Sequence, residues 1–360
     1  MQKLNTLKRK LNILKYPKKD AKVILVLVPF SDVVNGGHLS ISSIATAFRQ
    51  HRKLHGHEVI LSYLYLTNRN NSVKFTKFSS SEFIQDLRTV FSHFKNFESL
   101  EIHIPESYIR FIVTELKESW PRSFIEKLQS AKTLTFNILN QNDEYMDDIS
   151  YIQWLRERFN ARFTMTVAHQ RYCSEENRRF YKMPLHHLSA WLNNGKYEKK
   201  KFKEKQNIIL LSPDPFRENI GIEKPEFIAQ LQKQFPDYEV IEIKNFTYEE
   251  YKKLVSDSKF MITFGEGLDG YFIEEAFFGG IPFAVYNEVF FTPNYKSLPT
   301  VYDSLGSLIE NIVTHIQKLD SEAEYLKTNA EILLEIEKEY SYCLFEQRVK
   351  SYLSKKYDLP

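Results

Sequence analysis

Cysteine is scarce. Cys173 and Cys343 are the only two in 360 residues. They stand far apart and without metal-ligand spacing, which excludes a disulfide framework and reads as free thiols in a reducing compartment. Long apolar runs are missing as well. The longest, Val23–Phe30, has eight residues, against about twenty for a helix that spans a bilayer. No apolar stretch follows the basic N-terminus as it would in a secretory leader. There is no P-loop, no Ser or Cys nucleophile motif, no internal repeat and no low-complexity segment. His186 and His187 are adjacent, so they cannot share one helix face, and no metal set is expected.

What is present is apolar and aromatic mass. Hydrophobic residues make up 42% and aromatics 14%, with 28 Phe and 21 Tyr. A chain of this length and composition buries ample surface and favours two domains over one core. The net charge of +3 conceals an asymmetry. Residues 1–19 carry seven cations and no acid, which leaves −4 for the remainder. The basicity is therefore a tail, not a folded basic face, and this argues against a nucleic-acid protein. Leu4, Leu7, Leu11 and Leu14 recur at helical spacing among those cations. Such a helix suits an anionic membrane surface, or packs on the body with a solvated basic face.

The pattern along the chain alternates. Val23–Phe30 reads as a strand buried on both faces, Asn35-Gly36-Gly37-His38 as a loop, and Leu39–Arg49 as a helix, the opening unit of a doubly wound α/β fold. Strands are expected at Val59–Tyr65, Ser99–Ile104, Leu134–Leu139 and Phe163–Ala168. Helices are expected at Ser81–Phe94, Ile109–Trp120 and Ile149–Phe159. A lysine-rich stretch at 196–206 reads as an interdomain linker. A second series follows, with strands at Ile208–Ser212, Tyr238–Ile243, Phe260–Phe264 and Pro282–Tyr286. Its helices are Pro225–Gln234, Tyr248–Ser256 and Phe272–Phe278, and the tail from Ser304 is mostly helical. The expected organisation is a basic amphipathic segment at 1–20, a Rossmann-like domain at 21–198, a second at 206–335, and a C-terminal helix at 336–360 that packs back toward the first.

The informative stretch runs from Phe260 to Pro293. A strand ends in Gly265-Glu266-Gly267. A helix then carries Glu274-Glu275-Ala276 and ends at Gly279-Gly280, and Pro282 opens the next strand. A helix N-terminus offers unpaired N–H groups and a positive dipole end to a phosphate, and glycine lets backbone approach a ligand. An ionised carboxylate accepts from both hydroxyls of a ribose.

Glu266-Gly267, Glu275-Ala276, Gly280 and Pro282 resemble the signature of retaining GT-B glycosyltransferases of the glycogen-synthase-like, group-1 type. The resemblance covers the second half of the chain well and the first half in layout. It implies an α/β GT-B architecture, two Rossmann-like domains facing across a cleft. It also implies a catalytic-site Glu266 near the donor sugar and a ribose-binding Glu275. The family's two glutamates have seven residues between them. Counting back from Gly280 and Pro282 selects Glu275, which leaves eight, whereas Glu274 gives seven and stays as the alternate. Asp269 and Tyr271 stand where the family has small or aliphatic residues.

Arg217 and Lys224 follow the first strand of the second half. In the related enzymes an Arg and a Lys there neutralise the donor diphosphate, whose charge grows as the glycosidic bond breaks; otherwise they are two solvated cations on a turn. Gly36 and Gly37 end the first strand, where open α/β sheets bind ligands, or make a tight turn. His169 closes another strand and faces the donor sugar in the family's layout, or is a buried histidine bonded to backbone. The Asp-x-Asp motif of metal-dependent transferases is absent, Asp147-Asp148 being an adjacent pair.

The expected activity is transfer of a sugar from a nucleotide-sugar donor, a UDP-sugar first among them, to a hydroxyl. The donor is a substrate and no cofactor is expected. Acceptors are a glycan, a lipid-linked glycan or a protein in bacterial surface polysaccharide or glycoconjugate synthesis. The setting is cytoplasmic, with membrane contact through residues 1–19. The alternatives are a nucleotide-sugar epimerase of GT-B shape and an inactive GT-B scaffold.

Overall fold

The computed structural model describes residues 20–29, 36–64, 84–191 and 199–360. The basic segment 1–19 and Asn35 lie outside these residues. The described residues fall into two compact units. One takes those up to Ala190 together with Phe345–Pro360, and the other takes Trp191 and 199–344.

Among the described residues the first unit holds seven strands: β1 (Ala21–Val28), β2 (Glu58–Tyr63), β3 (Ile84–Gln85), β4 (Phe97–Pro105), β5 (Thr133–Asn140), β6 (Arg162–Val167) and β7 (Leu185–His187). Their order is β3-β2-β1-β4-β5-β6-β7, and every pairing is parallel. Such sheets are covered on both faces, which is why β1 reads as an almost unbroken apolar run. Val23, Leu25 and Val26 are fully buried. The strand order reverses between β1 and β4, and the helix Gly36–Gln50 starts beside that switch point. Gly36 and Gly37 thus open a helix rather than sit in the preceding loop.

The middle of this sheet is polar. Glu101 accepts from Tyr352 Oη at 2.7 Å and Lys355 Nζ at 2.5 Å, and its Oε1 lies 2.9 Å from His103 Nε2. Asn137 Nδ2 reaches His103 Nδ1 and Thr166 Oγ1, each at 3.0 Å, and Thr164 Oγ1 donates to Asn137 Oδ1 at 2.9 Å. The strand registers His103↔Asn137 and Asn137↔Thr164 bring these residues side by side. The helix Tyr342–Leu353 supplies Tyr352, and Leu359 bridges to the edge strand at Leu185. Hydrogen bonds and the ammonium hold the Glu101 carboxyl far below the usual carboxylate range despite its burial.

Among the described residues the second unit holds five strands: β8 (Ile208–Leu211), β9 (Glu239–Glu242), β10 (Phe260–Ile262), β11 (Ile281–Val285) and β12 (Val301–Tyr302), ordered β12-β11-β10-β8-β9 and again parallel. Here the switch point lies between β8 and β10, and ligands of such sheets bind outside the C-terminal strand ends at that place. The helix Tyr248–Asp257 starts from a capping box, in which Glu250 N donates to Thr247 Oγ1 and Thr247 N to Glu250 Oε2.

The regular alternation is present, with differences at the margins. Ser81–Phe94, expected as one helix, holds the short strand β3 and a helix at Leu87–His93. Ile84 and Gln85 are both buried and pair with Leu61 and Ser62, so tertiary pairing overrides local helical character. Asp86 then caps the helix by accepting from Arg88 N at 2.8 Å.

Candidate functional site

The loop after β8 and the end of β9 line an open cavity of about 690 Å³ whose lining includes Phe216, Arg217, Lys224, Glu242 and Lys244. Lys224 opens the helix Lys224–Gln234 and is turned inward. Its Nζ donates to Ser212 O at 2.5 Å and Asp214 O at 2.8 Å, and lies 2.7 Å from Glu242 Oε1. Burial lowers its pKa, against the opposing pull of Glu242. The other oxygen of Glu242 meets Lys244 Nζ at 2.6 Å. These two lysines hold the Glu242 carboxyl below the usual range although partial burial pulls the other way. Arg217 is exposed on the same lining.

Across the switch point lies the loop that follows β10. Gly265 packs so close to Asp214 that a methyl group there would stand 2.7 Å from Asp214 Cγ. Gly267 has φ +82°, and a Cβ would meet Phe291 and Val285 O at 2.6 and 2.7 Å. Position 267 therefore requires glycine, whereas a side chain at position 265 would have to displace the Asp214 carboxylate. Asp269 caps the helix Gly270–Phe277 by accepting from Phe272 N at 3.0 Å, and accepts from Thr263 Oγ1 at 2.8 Å. Part of its surface meets solvent, yet protein atoms crowd the carboxyl. Burial, with Glu266 and Asp214 adding negative charge nearby, pushes its pKa up to about 8. Asp269 is thus set to carry a proton at neutral pH beside Glu266.

No family model matches the chain, and neither does any curated relative. Solved structures do. A glycotransferase of kitacinnamycin aligns over 94% of this chain and 100% of its own, at 10% identity and TM-score 0.50. An alpha-glucosyltransferase in complex with UDP and a mismatched DNA aligns over 93% and 99%, at 12% identity and TM-score 0.54. A putative UDP-N-acetylglucosamine 2-epimerase from Listeria monocytogenes aligns over 94% and 98%, at 12% identity and TM-score 0.51.

The fold is GT-B. At these identities the likeness is one of architecture.

Within the GT-B frame, Arg217 and Lys224 come together at the cavity, and Glu266 and Gly267 lie on the adjoining loop. Glu274 and Glu275 are elsewhere. Glu275 is fully buried and accepts from Ser258 Oγ at 3.0 and 2.8 Å. Ser258 precedes β10, and Gly280, against which the same carboxyl packs, precedes β11. Lys205, which precedes β8, donates to Ser256 O and Ser258 O at 3.2 and 2.6 Å. The Glu275 carboxyl therefore sits at the N-terminal strand ends, the far side of the sheet from Arg217. Burial raises its pKa to about 7 against the pull of Lys205. Glu274 is turned into the interface between two helices, with Oε1 2.5 Å from the fully buried Lys252 Nζ. Neither carboxylate lies where a ribose at the cavity would meet it.

In the first unit His169 stands just beyond the end of β6. It is buried, its ring set edge-on to Tyr172 at 5.2 Å, and burial pushes its pKa down to about 4. It is a neutral imidazole at physiological pH. Gly36 and Gly37 lie in the same unit at the other switch point. Gln141 Nε2 donates to Gly37 O at 3.5 Å.

Glu242, Lys244, Asp214 and Asp269 were not among the residues expected from the sequence. The motif directed attention to one helix, while these groups gather from three separate strand ends. A visible signal was Glu242-Ile243-Lys244, which puts two opposite charges on one face of an extended segment. Among the described residues no group of His, Cys, Asp and Glu has metal-binding geometry, and no helix is long and apolar enough to cross a membrane.

Proposed function

We propose that this chain transfers a glycosyl group from a nucleotide sugar to a hydroxyl acceptor. The observation that carries this reading is the cavity at the ends of β8 and β9, with Arg217 and Lys244 on its lining, one loop away from Glu266 and Asp269. A leaving nucleoside diphosphate gains negative charge as the bond from the anomeric carbon to the phosphate oxygen breaks. Fixed cations lower that barrier. The acceptor oxygen bonds to the anomeric carbon and its proton passes to the departing phosphate. Burial pushes the pKa of Asp269 up to about 8, so it brings less negative charge to the neighbourhood of a phosphate than an ordinary carboxylate would. The GT-B likeness to an alpha-glucosyltransferase solved with UDP favours a UDP-sugar as donor.

The finer expectations belong to the same proposal. The resemblance implies net retention without a metal ion, with a glycan, lipid-linked glycan or protein as acceptor in surface-polysaccharide or glycoconjugate synthesis. The two widely spaced cysteines and the basic amphipathic pattern of residues 1–19 add to the proposal a cytoplasmic setting with contact at the membrane surface. Glu275 as the ribose carboxylate is not part of the proposal, because Ser258 and its burial already satisfy it at the other end of the sheet.

The test is product analysis with UDP-, dTDP-, GDP-, ADP- and CMP-sugars, with and without glycan acceptors. Transfer with release of nucleotide supports the reading, and the anomeric configuration of the product decides retention. Interconversion of the donor without acceptor would instead favour an epimerase, which the likeness to the putative 2-epimerase keeps in view. A thermal-shift series precedes it, since a ligand at a hundred times its Kd adds about 2.7 kcal/mol to stability. No shift with any nucleotide and no turnover would leave the scaffold reading.

A further inference from the structure

Counting hydrogen-bond donors separates the two lysines of the cavity. An ammonium has three N–H groups. Lys224 has three partners, Ser212 O, Asp214 O and Glu242 Oε1, at 2.5, 2.8 and 2.7 Å, and its side chain is only 10% exposed. To hold a phosphate it must abandon one of them, and two are carbonyls of the loop it ties down. Lys244 uses one N–H on Glu242 Oε2 at 2.6 Å, and its side chain is 58% exposed. Two of its donors remain for a ligand on the same lining. Glu242 joins the two: one oxygen is fixed by the buried lysine and the other holds the exposed one at the cavity. A lysine side chain otherwise has many rotamers, and tethering it lowers the ordering cost of binding.

We propose that Lys244 is the ammonium that meets the diphosphate of a bound nucleoside diphosphate, that Glu242 positions it, and that Lys224 is a structural clip for the loop after β8. This rests on the donor-site reading given above. It departs from the sequence resemblance, which gives the diphosphate to Lys224 and says nothing of Lys244.

Isothermal titration of the full chain with UDP, dTDP, GDP, inorganic pyrophosphate and the matching free nucleoside tests it. The panel is repeated on Lys244→Met, Lys244→Arg and Lys224→Met. The expected result is a loss of about tenfold or more in affinity for pyrophosphate and nucleotide in Lys244→Met, with nucleoside affinity unchanged and most of the loss restored in Lys244→Arg. Lys224→Met should lower the Tm and weaken the folded protein's diphosphate affinity less than Lys244→Met does. If Lys224→Met does not fold, the Met and Arg variants at 244 still decide. Unchanged diphosphate affinity in Lys244→Met, with wild type binding well, overturns the assignment and leaves the donor-site reading standing. No binding of any nucleotide or pyrophosphate to wild type removes the donor-site reading itself and this inference with it.

Discussion

The carboxylate of Glu275 fills the space next to Gly280, where a methyl group built on the glycine would stand 1.6 Å from Glu275 Oε1 and 2.8 Å from its Cγ. Glu275 cannot swing aside easily, because it is fully buried and bound to Ser258. Gly280→Ala should therefore destabilise by about 1–3 kcal/mol, the usual cost of overpacking. Glu275→Ala should recover part of that, with a coupling of about 0.5–3 kcal/mol in a double-mutant cycle. Urea unfolding of the four proteins measures it. Strict additivity would show that the two groups do not share one space.

Asp269 makes stability depend on pH in a direction opposite to most carboxylates. Its folded pKa of about 8 lies above the unfolded value of about 3.9. The folded state thus binds the extra proton, and stability from this group falls as pH rises from about 4 through 8. Asn keeps an acceptor for Phe272 N and offers a donor to Thr263 Oγ1. Asp269→Asn should flatten the decline between pH 5 and 8 in denaturation midpoints. An unchanged slope would mean that Asp269 is ionised throughout.

Glu101 behaves the other way. Its folded pKa lies far below the unfolded value, so its contribution is present above about pH 4.3 and is lost as the pH falls below that. Replacing it by Gln leaves Lys355 without its partner and removes the charge that Tyr352 Oη and His103 meet. Lys355 is half exposed, so no bare charge is left buried, and a loss of about 1–3 kcal/mol is expected, the cost of disturbing a buried set of hydrogen bonds. The Gln variant should also lack the acid-induced part of the wild-type unfolding curve.

Glu274 and Lys252 offer a test that separates packing from ligand binding. Each alone leaves a buried charge, so Glu274→Ala should cost about 3–5 kcal/mol. Lys252→Met/Glu274→Leu keeps the volume and should be close to neutral. Because Glu274 points between helices, the double variant should keep the full thermal shift with whichever nucleotide stabilises the wild type. A lost shift at unchanged stability would return Glu274 to the ligand site.

Much of the architecture was legible because doubly wound folds write their elements as local pattern. Val23–Val28 is apolar without a break, and the helix expected at Tyr248–Ser256 is found at Tyr248–Asp257. β3 and β12 were not legible, since two-residue strands are made by their neighbours and carry no periodicity of their own. The site was half legible. Arg217, Lys224, Glu266 and Gly267 come together at neighbouring strand ends. Glu275 shows the limit of a motif read in register. The same letters fit, but a helix of eight residues carries the side chain down past the middle of the sheet to Ser258. Sequence spacing fixes rotation around a helix and position along it, not which end of a sheet the side chain reaches.

The return of residues 345–360 to the first unit has a consequence for synthesis on the ribosome. The described strands of that unit are complete by Ala190, yet Tyr352 and Lys355, which cover and neutralise Glu101, are made only after the second unit. At roughly 5–20 residues per second, the intervening 155 or so residues take about 8 to 30 s. During that interval the nascent first unit holds a buried-to-be carboxylate that has His103 beside it but neither Tyr352 nor Lys355. The second unit, continuous from 199 to 344, can settle in the meantime. Late addition of one short helix then closes the earlier-made half, so losing Tyr352 and Lys355 would be felt at β4, about 250 residues earlier in the chain.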